Sequence, residues 1–140
     1  MNNYSWRGYI FSRKIGEHVV PQRVQNLVVR TCAERHGLTY LLSTTEYYME
    51  NCFMMLQSTF DELNNIDGII FYSIRQLPSN FKERMKIYER VIDFKKGLRF
   101  ALEDLALFNE DDINFIEDLI ACRDLSSQTV DLDIYKNWLN

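Results

Sequence analysis

Residues Asp67–Pro78, DGIIFYSIRQLP, constrain what this chain can fold into more than any other stretch. Five apolar residues (Ile69, Ile70, Phe71, Tyr72 and Ile74) follow the turn-forming Asn64-Asn65-Ile66-Asp67-Gly68, and the run stops at Leu77-Pro78. A short apolar run between Gly and Pro predicts a strand covered on both faces, as in a parallel sheet sandwiched by helices. Ligands of such sheets sit beyond the carboxyl ends of the strands, which makes Ser73, Arg75 and Gln76 candidate site residues.

The rest of the chain supplies the alternation that such a sheet needs. Arg7–Ser12 (RGYIFS) reads as a first strand, and Pro21–His36 as a helix with Val24, Leu27, Val28 and Thr31 or Cys32 on its packing face. Gly37 is placed to cap that helix. Leu38–Leu42 is a second strand. Ser43, Thr44, Thr45 and Glu46 then read as the cap of a second helix running to about Leu63, with Met49, Cys52, Phe53, Leu56, Phe60 and Leu63 on one stripe. Asp67–Ile74 is the third strand. Asn80 opens a third helix with Phe81, Met85, Tyr88 and Ile92 inward, closed by Lys95, Lys96 and Gly97. Leu98–Leu102 is a fourth strand ending at Glu103-Asp104, and Asn109–Asp112 starts a helix to about Cys122 that buries Ile113, Ile116, Leu119 and Ile120. The expected fold is α/β: a three-layer, mainly parallel four-stranded sheet with helices on both faces and C-terminal helices beyond it. We expect a single domain over residues 1–140, its core spanning about 7–104 and a helical extension spanning about 105–140.

Composition narrows the function. Net charge is −4 with pI near 5.2, which argues against general nucleic-acid binding, where lysine and arginine neutralise phosphates. Residues 1–40 hold six Lys/Arg against two Asp/Glu, whereas residues 103–140 hold two against ten. Cys32, Cys52 and Cys122 form no C-x-x-C pair, and two histidines give no ligand spacing, so neither a disulfide framework nor a metal site is expected. None of the five glycines stands in a phosphate-loop or dinucleotide-loop pattern, so no cofactor is expected. No apolar run has bilayer length and the start lacks the pattern of a signal peptide, which together suit a reducing cytoplasm.

Two resemblances follow from these segments. The first hundred residues resemble the catalytic domain of serine recombinases, the resolvases and invertases. Gly8-Tyr9 opens a strand that stops at a serine, a glutamine-bearing helix ends at Gly37, and the third strand ends in Ile74-Arg75-Gln76-Leu77-Pro78. The best match places Gln76 and Ser79 where that family carries catalytic arginines, and Ser12 meets its nucleophile with a one-residue slip. Such arginines stabilise charge on a phosphate under attack. The resemblance therefore implies the resolvase-like fold without phosphoryl transfer on DNA. The stretches GYIFSR, VPQRVQNLVVR, STTEY, YSIRQLP and RFALE, within residues 7–104, more closely resemble a sporadic family of small proteins from bacterial surface-carbohydrate loci. That resemblance implies a setting in O-antigen or capsule (lipopolysaccharide or polysaccharide) biosynthesis, and no particular reaction.

The strand ends supply Ser12 and Arg13, then Thr45 and Glu46, then Ser73, Arg75 and Gln76, then Glu103; Gln22, Arg23 and Asn26 on the first helix reach the same rim. Together they suit a nucleotide sugar or sugar phosphate, with an arginine fork holding the phosphate. Glu46 and Glu103 would serve as acid and base, although Glu46 is equally well placed to stabilise the start of its own helix. The other reading is a non-catalytic interaction or regulatory module on a degenerate recombinase scaffold, partnered by a pathway enzyme or by itself. The aromatic C-terminal tail and the methionines of the second helix make a homo-oligomer the expected state.

Overall fold

The computed structural model describes residues 5–123. The chain divides into two compact units, Met1–Phe108 and Asn109–Asn140. The first unit runs β1 (Ser5–Phe11), α1 (Gln22–Arg35), β2 (Thr39–Glu46), α2 (Met54–Asp61), β3 (Gly68–Phe71), α3 (Phe81–Asp93), β4 (Gly97–Phe100) and β5 (Leu105–Leu107). Its sheet has the order β2-β1-β3-β4-β5, with β1 to β4 parallel and β5 antiparallel to β4. Five strands stand where four were expected. The apolar triplet Leu105–Leu107 is too short to show periodicity, yet it pairs in register with Leu98–Phe100.

The central strands behave as their composition dictates. All four residues of β3 and the stretch from Gly8 to Phe11 are buried, because helices cover both faces. Asn26 and Arg30 of α1 lean on Tyr40 of β2 on one side of the sheet. On the other side Glu46 and Thr44 of β2 meet α2, and α3 joins α2 there through Arg90 with Gln57 and Asp61. This placement is what right-handed crossovers require when the chain moves outward to β2 and then back across the sheet to β3 and β4. Gly68 and Gly97 begin adjacent strands where a Cβ would run into Trp6 and Phe108, so bare backbone makes room for those two rings.

Local caps fall where chemistry puts them. Gly37 adopts φ +67° after α1, and Leu38 N–H returns to Ala33 O. The Asn80 side chain accepts from the N–H groups of Lys82 and Glu83 at the start of α3.

Several elements depart from the sequence reading. Helix α1 buries Gln25, Val29, Cys32 and Ala33, whereas Val24 and Leu27 face solvent. Gln25 sets this phase, as described below. Strand β2 continues through Ser43–Glu46, and α2 begins at Met54, so Met49 lies in an exposed loop. Strand β3 stops at Phe71, and Ile74–Gln76 form a short 3-10 turn. In α3 the buried residues are Ile87, Tyr88 and Val91, with Phe81 outside.

In the second unit residues 110–123 are helical, with Asn109 and Asp112 exchanging side-chain-to-backbone hydrogen bonds at the start and Ile113, Ile116 and Ile120 buried. The expected tail helix over Asp131–Leu139 lies outside the described residues. No described helix is long and apolar enough to cross a membrane.

Candidate functional site at the strand ends

The carboxyl ends of β1 to β4 do gather at one edge of the sheet. Most of the expected site residues there are engaged with one another. Glu46, which is 1% exposed, is the clearest case. Its carboxylate accepts from the Tyr9 hydroxyl at 2.8 Å, from Tyr47 N–H and Met55 N–H at 3.0 Å and from Leu56 N–H at 3.1 Å. The strand thus caps a helix that starts eight residues later, placing negative charge at the N-terminus of α2.

Burial, and then the Glu46 charge, push the Tyr9 phenol far above its ordinary value of 10. Unfolding frees it to ionise, so this pair stabilises fully below pH 10 and progressively less above it. Relative to Tyr9→Phe, the native chain is expected to lose up to about 1.4 kcal/mol per pH unit above 10. Urea midpoints measured from neutral pH upward check this, and parallel curves for the two proteins would refute it.

The third strand end forms a second closed set. Ser73 Oγ donates to Glu103 Oε2 at 2.6 Å, and Ile74 N–H donates to Glu103 Oε1 at 3.0 Å. Buried Gln76 accepts from Ser73 N–H at 3.0 Å and donates to Tyr9 O at 3.2 Å, tying the 3-10 turn to β1. Glu46 and Glu103 thus each accept from backbone N–H groups at the start of a helical turn. Ser12 donates its hydroxyl proton to Glu46 O at 2.7 Å. Arg13 donates to the carbonyls of Tyr47, Met49 and Cys52 at 2.8–2.9 Å and lies 4.1 Å above the Phe11 ring. It holds down the loop after β2.

Beside these networks opens a cleft of about 470 Å³ lined by Phe11, Arg13, Lys14, Gly16, Tyr48, Glu50, Asn51, Phe53, Arg75, Gln76, Leu77 and Ser79. Of the expected site residues Arg13, Arg75 and Gln76 line it; Ser12, Gln22, Arg23, Asn26, Thr45, Glu46, Ser73 and Glu103 do not. Gln22 and Arg23 stand exposed on the first turn of α1, Asn26 accepts from the Tyr40 hydroxyl at 3.2 Å, and Thr45 stays in β2 opposite Ile10. Among the described residues the exposed side chains of Lys14 and Arg75 make no hydrogen bond or ion pair. Three cations against Glu50 make the cleft positive, and Tyr48 offers it an exposed ring.

Sequence reasoning missed Lys14, Tyr48 and above all Gln25. Fully buried, Gln25 accepts from Phe11 N–H at 2.8 Å and donates to Phe11 O at 2.9 Å and Val20 O at 2.8 Å, clamping the end of β1. The signal was present: Gln25, Val29 and Cys32 repeat at helical spacing, with the glutamine in an apolar slot. The described residues contain no cluster of His, Cys, Asp or Glu able to hold a metal ion.

The fold is similar to that of serine-recombinase catalytic domains. The N-terminal catalytic domain of TP901-1 integrase matches with a TM-score of 0.60 at 13% identity, over 88% of this chain and 98% of that one. A resolvase family site-specific recombinase from Streptococcus pneumoniae matches with a TM-score of 0.62 at 10% identity, over 93% of this chain and 97% of that one. At these identities the likeness is one of fold. No protein-family model and no curated protein matches the chain, so the resemblance to surface-carbohydrate proteins finds no support there.

Proposed function

We propose that this chain is a non-catalytic binding module on a recombinase-like scaffold, holding an anionic ligand at the strand-end cleft in place of phosphoryl transfer. One observation carries the reading: the groups able to do chemistry are engaged within the fold, while two cations on the cleft remain uncommitted. A nucleophilic serine needs a base to take its proton. The Ser12 hydroxyl instead donates to the backbone carbonyl of Glu46, which accepts the hydrogen bond but is too weak a base to take the proton. Gln76 and Ser79, where the recombinase resemblance places arginines, bring no charge.

The same cleft favours a particular ligand class. Lys14 and Arg75 present the donors that a phosphate takes, and Tyr48 supplies a face for a sugar or base to stack on. A phosphorylated or nucleotide-activated sugar fits this chemistry and the resemblance to surface-carbohydrate proteins. The module would then serve that cytoplasmic pathway beside one of its enzymes.

Thermal melts with inorganic phosphate, hexose phosphates and nucleoside-diphosphate sugars test the reading. A bound member at about 100-fold over Kd adds about 2.7 kcal/mol and raises Tm by several degrees. The double variant Lys14→Glu, Arg75→Glu should lose that rise while melting normally alone, because both side chains lie in solvent. A flat response across the panel removes the ligand. A serine-linked DNA adduct that survives denaturing electrophoresis removes the non-catalytic assignment.

A further inference from the structure

The cleft that carries Lys14 and Arg75 has a neighbour. Asn51, Phe53 and Ser79 line it and also line a second cavity of about 540 Å³ between α2 and α3, so the two adjoin across those residues. The shared wall is held in place. The Phe53 ring centre lies 6.4 Å from that of Phe11 and 5.1 Å from the Arg13 guanidinium, and Arg13 also donates to Cys52 O beside it. The second cavity differs from the first in charge, because its cations are answered: Lys86 by Glu83 at 3.4 Å, and Arg90 by Asp61 at 3.2 Å. What it offers instead is uncharged donors. The side chains of Asn51 and Ser79 make no hydrogen bond among the described residues. Gln57 and Asn80 use only their carbonyl oxygens, Gln57 for Arg90 and Asn80 for the N–H groups of Lys82 and Glu83, which leaves both NH₂ groups open. Buried Phe60 and Ile87 supply an apolar floor.

We propose that this second cavity holds the uncharged sugar ring of a ligand whose phosphate lies on Lys14 and Arg75. This assignment rests on the anion-binding reading of the cleft and says which side chains receive the rest of the ligand. The cavity falls within the range of about 300–1,000 Å³ that small-molecule sites occupy. With its cations already paired, it gives a second phosphate little to bind. Sugar hydroxyls and the ring oxygen accept hydrogen bonds on every side, which suits several amide NH₂ donors and a serine hydroxyl set around them. The apolar face of a pyranose suits the Phe53 ring. A nucleobase edge needs fixed acceptors as well as donors, and the Gln57 and Asn80 carbonyl oxygens are already taken. The base of a nucleotide-activated sugar is left to the exposed Tyr48 ring of the first cleft.

NMR titration of the isotope-labelled full chain, with methyl phosphate and with a panel of hexose phosphates, tests it. Methyl phosphate should move the amides around Lys14 and Arg75. The best hexose phosphate should also move those of Asn51, Gln57 and Asn80, and bind about tenfold tighter or more. Gln57→Leu and Asn80→Ser should each cut that advantage by roughly threefold to tenfold while leaving methyl phosphate binding unchanged. Both variants should fold, since Gln57 is exposed on α2 and serine caps a helix as asparagine does. Hexose phosphates that bind no tighter than methyl phosphate overturn the assignment and spare the anion site. An advantage that neither variant reduces overturns it too, as does a nucleoside monophosphate that moves the same three amides when hexose phosphates do not. No shift with any phosphate removes the anion site and this assignment together.

Discussion

Replacing Glu46 by alanine is expected to destabilise the chain by about 3–5 kcal/mol, more than any surface change near the cleft. The carboxylate accepts from the Tyr9 hydroxyl and from three backbone N–H groups, two of them at the open start of α2. Alanine leaves those donors without a partner in a place where Glu46 itself is almost wholly buried. Each buried group left unpaired costs roughly 1–3 kcal/mol, partly relieved by relaxation and entering water. Glu46→Gln keeps one acceptor oxygen and sets an amide NH₂ against groups that also donate, so a smaller loss of about 1–3 kcal/mol is expected. Urea unfolding checks both, with midpoints falling and slopes unchanged. A loss under about 1 kcal/mol for Glu46→Ala would show that the cap is dispensable and that the carboxylate is free for another role.

Glu46 also shows how far the sequence could be read. Ser-Thr-Thr-Glu carries the chemistry of a helix start, and Glu46 does cap a helix, but it does so across space from the end of a strand. A local window cannot separate those cases, although the β-branched Thr44 and Thr45 favour the strand. Features set by neighbours in sequence were legible: Gly37 and Asn80 as caps, the buried run at Ile69–Phe71, and the alternation that fixes a parallel sheet. Features set by partners distant in sequence were not. The phase of α1 depends on Gln25 clamping Phe11, and β5 exists because Leu98–Phe100 offers it an edge. The strand ends were legible as a meeting place of polar groups. That those groups would satisfy each other, leaving the cleft to Lys14 and Arg75, depends on distances that a sequence does not carry.

The two positions where the recombinase resemblance places arginines should respond in opposite ways when arginine is put there. Gln76→Arg is expected to destabilise the fold by about 3–5 kcal/mol. The native side chain is fully buried, accepts from Ser73 N–H and donates to Tyr9 O. A guanidinium has donors and no acceptor, so Ser73 N–H would lose its partner. The nearest carboxylate on that turn, Glu103, is already held by Ser73 and Ile74. Ser79 stands exposed on the wall of the cleft, and Ser79→Arg should change stability by no more than about 0.5 kcal/mol while tightening anion binding. Thermal melts of both variants, with and without phosphate, separate these outcomes. The asymmetry has a functional meaning. The turn at Ile74–Gln76 is built around an amide that bridges two strand ends, so an arginine cannot take its place without dismantling the support of the site. If Gln76→Arg instead folds at native stability, the amide bridge is dispensable and the account of the turn's support is wrong.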